Sequence, residues 1–163
     1  MSVYRALSGR IQTSMHELQS VVDRASQLGR KAQQTGDDGY WDGVALNLHS
    51  FYTGLERIFE DIARSVDESI PTGPGWQADL LLQMASGVTD LRPAVIRQEA
   101  RRCLEEYRGF RHVVRNVYTF NLRPDRVREL VDGLPECFAT IQEDLRSFAR
   151  FLDAALTSQG GAI

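Results

Sequence analysis

Lysine is almost missing from this sequence, with Lys31 alone beside 18 arginines. Long apolar runs are missing too. No stretch approaches the ~20 residues that a bilayer-spanning helix requires, and Met1–Arg10 lacks a signal-peptide pattern, so the expectation is a cytoplasmic protein with no membrane contact. Val, Ile and Thr nowhere alternate with polar residues over a useful length, which excludes a sheet. The two cysteines, Cys103 and Cys137, match no metal-ligand spacing and form no disulfide framework, so both read as small apolar core residues. Histidine occurs three times, and no Cys/His/Asp cluster has ligand spacing. No metal and no cofactor are expected.

What remains is 163 residues, 42% of them hydrophobic, with a formal charge of −3. That is a single domain, residues 1–163, long enough to bury roughly two thirds of its unfolded surface. The basic residues are unevenly placed. Arg92–Arg128 holds ten arginines against Glu99, Glu105, Glu106 and Asp125, so the rest of the chain is strongly acidic. A basic stretch in an acidic protein points to a specific anionic partner.

Helical periodicity runs through the whole chain. Tyr4, Leu7, Ile11, Leu18, Val22, Ala25 and Leu28 form one stripe, ending near Gln34. After the Thr35–Gly39 break, with Asp37 or Asp38 as a cap, Trp41, Val44, Leu48, Phe51, Tyr52, Leu55, Phe59, Ile62 and Val66 form a second. Pro71–Gly75 is the strongest breaker, followed by a short helix through Trp76, Leu80, Leu81 and Met84. Thr89 or Asp90 opens a long helix over Pro93–Tyr118. A turn at 121–125 leads to a last helical region in which Val127, Leu134, Ile141, Phe148 and Ala155 recur every seven residues. Gly133 and Pro135 are expected to kink or divide it, and residues 158–163 to fray. The sum is an all-α antiparallel bundle of four long helices plus a short one.

On a helical wheel with Arg111 at zero, Arg97, Arg101, Arg108, Arg111 and Arg115 fall within about 0–80°, and Tyr118 lies near 340°. His112 and Asn116 sit beside this stripe, at about 100° and 140°. Ile96, Cys103, Tyr107, Phe110, Val113, Val114 and Val117 occupy about 200–320° and read as the core face. Like charges one turn apart repel, and guanidinium groups match phosphate oxygens with a two-point fork. The ridge therefore suits RNA or nucleotide phosphates. Internal salt bridging to acidic neighbouring helices and a plain solvated face are the competing readings. His16 and His49 read as surface or boundary residues.

The segment Arg108-Gly-Phe-Arg-His-Val-Val-Arg-Asn-Val-Tyr118 resembles the active-site segment of the HEPN superfamily, and in particular that of the HepT-like ribonucleases. That signature is an arginine, a polar residue, three residues, histidine, any residue, then tyrosine. Arg111, His112 and Tyr118 match it, and Asn116 occupies the histidine position. Phe51–Glu60, the Pro71–Gly75 break followed by Trp76, and Phe120–Asp125 are similar to that family as well.

The resemblance implies a HEPN-like helical bundle and metal-independent endoribonuclease activity at a site built across a homodimer. It implies a place in a toxin–antitoxin pair, whose MNT-type nucleotidyltransferase antitoxin silences the toxin by AMP transfer to Tyr118. Arg111, Asn116 and His112 would be the catalytic group, with Arg97, Arg101, Arg108 and Arg115 holding RNA phosphate. Asparagine cannot exchange protons at neutral pH, and lost acid–base assistance removes about 10²–10⁴ in rate. His112, one turn earlier, is the alternative proton carrier. The alternative function is a degenerate HEPN protein that binds RNA, nucleotide or the transferase without cleaving. A generic helical adaptor, with an incidental arginine ridge, is the third.

Overall fold

The computed structural model describes residues 2–116 and 122–160, with side chains described except at 112–116 and 156–160. Five α-helices follow in order: α1 Val3–Thr35, α2 Gly39–Ile62, α3 Trp76–Met84, α4 Gln98–Asn116 and α5 Pro124–Gly160. A π-helical turn, Ala63–Asp67, extends α2. The described residues contain no strand, only an isolated bridge between Val88 and Arg92. None of their helices is long and apolar enough to cross a membrane. The all-α bundle follows from the stripes that define it.

α1 ends where Gly36 takes a left-handed conformation (φ 70°) and its N–H returns to the Ala32 carbonyl at 3.0 Å. Asp37 rather than Asp38 caps α2, its Oδ1 accepting from the Gly39 N–H at 2.9 Å. α1 packs along α2 and α5, while α2 also meets α4. The α1–α2 approach is close at Gly54, where a Cβ would come within 2.7 Å of Leu18 Cδ2. Phe51 is the junction of three helices, edge-on to Tyr107 of α4 at 5.6 Å and to Phe138 of α5 at 5.8 Å. Its complete burial contributes about 2–3 kcal/mol of apolar transfer.

The structure corrects three sequence expectations. The fourth helix begins at Gln98, not at Pro93. The chain before it is held instead by tertiary bonds: the Val95 and Ile96 N–H groups donate to the Met84 carbonyl, and the Arg97 N–H donates to Asp144 Oδ2 at 2.9 Å. Asp144 thus serves as a cap supplied by another helix, which no local pattern announces.

Second, α5 runs unbroken through Gly133 and Pro135. Tyr107 Oη donates to the Leu130 carbonyl at 2.7 Å, in the turn that Pro135 disturbs, so a side chain supplies bonding there.

Third, Cys103 and Cys137 are bonded to each other, joining α4 to α5 across 34 positions. Spacing within one chain segment carries no information on such a pairing. Tyr52, a member of the second apolar stripe, is buried at 1% exposure.

Candidate functional site

α4 does not present its arginines as an open ridge. Its buried side is formed by Ala100, Leu104, Tyr107 and Phe110. Leu104 lies only about 20° from Arg111 on the wheel, so Arg111 belongs to the edge of the core face. Glu99 and Glu106, inside the arc read as core from the sequence, are exposed. The wheel placed Ile96, Tyr107 and Phe110 correctly on the buried side. The buried arc reaches further toward the arginines than it indicated, taking in Ala100 and Leu104, because α2 and α5 set the direction of packing.

Arg111 is held by α2. Its Nη1 lies 2.9 Å from both oxygens of Glu56, and the side chains are 14% and 5% exposed. Glu56 sits one turn after Tyr52 on the buried face of α2, so an acid is placed where a hydrophobic residue would otherwise pack. A buried carboxylate requires a cation and hydrogen bonds, and Arg111 provides both. The Arg111 Nε is buried and makes no hydrogen bond among the described residues. Burial first, then the Glu56 carboxylate, pushes the Tyr52 phenol well above the ordinary tyrosine range, against the opposing charges of Arg108 and Arg111. Tyr52 therefore stays a neutral wall beneath the ion pair.

The other arginines have separate partners. Arg108 donates to Glu105 Oε2 through Nε at 2.9 Å, one turn along α4. Arg101 donates to Gln98 at 3.0 Å, and its Nε is buried without a partner among the described residues. Arg97 lies just before the helix, where its Nε meets Asp144 Oδ1 at 2.6 Å and its second nitrogen meets Glu143 at 3.3 Å. The hydrogen bond to Asp144 raises its guanidinium pKa further. Arg97 is therefore at the opposite end of α4 from Arg111. Internal salt bridging accounts for part of the ridge. Acids on α2 and α5 offset the charge that α4's own glutamates cannot.

His112, Arg115 and Asn116 continue α4, and their side chains lie outside the described residues. Tyr118 and Phe120 lie wholly outside them. Glu56 is the functional residue that sequence reasoning missed. Its signal was present, as a single acid within the Tyr52–Phe59 apolar arc. Among the described residues no group of three or more His, Cys, Asp or Glu is placed to hold a metal ion.

What the described geometry provides is one oriented guanidinium, carried on the last turns of α4. The family model whose description is HepT-like protein matches residues 43–152, from the first turns of α2 to the last third of α5. No curated protein and no solved structure matches the chain. The matched region spans two thirds of the sequence and contains the Glu56–Arg111 pair and the whole of α4, and the chain belongs to the HepT-like family of HEPN bundles.

Proposed function

We propose that this protein is a HepT-like toxin acting on RNA in the cytoplasm, as a metal-independent endoribonuclease. The observation that supports this reading is the Glu56–Arg111 pair, which holds the guanidinium of the motif arginine in one orientation. In this reading Arg111 holds the scissile phosphate and stabilises the charge that develops on it. Arg101, Arg108 and Arg115 extend phosphate binding along the helix, and Arg97 contributes from its far end. His112 carries the proton between the ribose 2′-hydroxyl and the leaving oxygen, and Asn116 orients the phosphate or a water. The site is completed by a second copy of the chain. An MNT-type nucleotidyltransferase silences it by AMP transfer to Tyr118, whose new phosphate occupies the RNA site.

Asn116 favours a second reading, in which the protein binds RNA, nucleotide or the transferase without cleaving. RNA cleavage in EDTA separates the two, comparing the protein with Asn116→His and Arg111→Lys. The lysine keeps a cation beside Glu56 while removing the fork, so folding is preserved. Cleavage by the protein as it stands, abolished by Arg111→Lys, supports the nuclease. Cleavage by Asn116→His alone supports the binder. No cleavage and no salt-dependent RNA binding by any version overturns both.

A further inference from the structure

A second polar site lies elsewhere on the molecule, in the groove between α1 and α5. It has a volume of about 490 Å³, within the usual range for small-molecule pockets. Its floor is apolar, formed by buried Met15 and Ala149. Arg146 and Arg150 of α5 form its cationic rim, beside His16 of α1. Gln142 donates to Gln19 across the groove at 3.3 Å, so side-chain amides line both walls.

The arginines of α5 divide into two sets. Arg126 and Arg128, like Arg123 just before the helix, each have an acid of α5 within ion-pair distance. Arg146 and Arg150, one turn apart on one face, have none among the described residues, although Glu143 and Asp153 lie three positions away on either side. Among the described residues, Asp153 is the one acid lining the groove. Two like charges at this spacing repel, and an anion between them relieves the repulsion. α1, which supplies half of the groove, precedes the family-matched segment 43–152. The α5 wall of the groove, apart from Asp153, lies within that segment, and the groove is formed by residues other than those of the α4 motif.

We propose that the α1–α5 groove binds a nucleoside phosphate. Arg146, Arg150 and His16 take the phosphate, the base lies over Met15 and Ala149, and the glutamine amides meet its polar edge. The match is chemical: forked cations for phosphate oxygens, an apolar floor for a ring, and amides that both donate and accept.

Calorimetric titration with AMP, ATP, adenosine and inorganic pyrophosphate tests it, using the protein, Arg146→Ala/Arg150→Ala and Arg111→Lys. The expected result is saturable binding of AMP and ATP, tighter than adenosine. The groove variant weakens it by tenfold or more, on the order expected for losing charge-assisted phosphate bonds, and Arg111→Lys leaves it intact. Circular dichroism confirms that the groove variant is folded. The proposal is overturned by no saturable binding, by loss in Arg111→Lys instead of the groove variant, or by pyrophosphate binding as well as AMP. Equal weakening of RNA binding by both variants would place the groove on an RNA path and also overturn it.

Discussion

Nη1 of Arg111 lies 2.9 Å from each oxygen of Glu56, across 55 positions of sequence. This ion pair couples the fold to the candidate chemistry. The same carboxylate that satisfies the α2–α4 interface holds the motif guanidinium in place. Breaking a buried pair from one side leaves a charge without its partner and costs about 3–5 kcal/mol. Glu56→Ala is therefore expected to lower the urea midpoint sharply. Glu56→Leu combined with Arg111→Met should recover most of the loss, because neither member of this pair is left without the other. A double variant as unstable as Glu56→Ala would show that packing, not charge, is responsible.

A second clasp fixes the chain before α4. Both carboxylate oxygens of Asp67 are within 2.7 Å of Arg92, whose Nη1 donates to the Ser86 and Pro93 carbonyls and whose Nη2 also donates to the Gln83 carbonyl. Burial works to raise the Asp67 carboxyl, but hydrogen bonds from Arg92 and Gln83 and the Arg92 charge outweigh it and hold it below the ordinary value. A depressed folded-state pKa stabilises the protein above the unfolded value and ceases to do so as pH falls through the folded one. Stability should thus fall from about pH 4 downward, the ordinary aspartate value being about 3.9. Asp67→Asn should be less stable at neutral pH and show a shallower acid slope in urea titrations.

Asp61 follows the same sign on the surface. The hydrogen bond from Arg10 lowers its carboxyl, yet half of the Arg10 side chain is exposed. Solvent screening limits such pairs to about 0–1 kcal/mol. Arg10→Ala should therefore move the midpoint far less than Asp67→Asn, and an equal shift would refute the ranking.

Reduction of Cys103–Cys137 releases the tie between α4 and α5. Closing a loop of this length stabilises by about 3–4 kcal/mol in the chain-entropy treatment. The oxidised protein should show no free thiol and unfold at higher urea than the same sample in dithiothreitol. Free thiols in the untreated protein would contradict the bond. A reducing cytoplasm would favour the dithiol, so the oxidised fraction also bears on where the protein works.

Tyr107→Phe removes the one side-chain donor to the Leu130 carbonyl among the described residues while keeping the ring against Phe51. Losing one such hydrogen bond costs about 0.5–1.5 kcal/mol. Amide exchange measured around Gly133–Pro135 should quicken, since this is where α5 has the least bonding of its own.

Periodicity alone determined the bundle. Stripes at 3.6-residue spacing in Leu7–Leu28, Leu48–Ile62 and Val127–Leu152 are the buried residues of α1, α2 and α5. Each stripe is local, because a helix carries its own hydrogen bonds and exposes its packing face as a simple repeat. The motif segment was legible for the same reason, as a short run on one helix.

Only the tertiary structure decided which way that helix faces. Arginines and apolar residues share the Ala100–Arg111 arc, and their inward direction depends on Glu56 and Phe51 arriving from α2. The start of α4 depends on Asp144, 47 positions away, and the cysteine pairing on the approach of α5. Charges and caps whose partners lie across the bundle leave no period in the sequence.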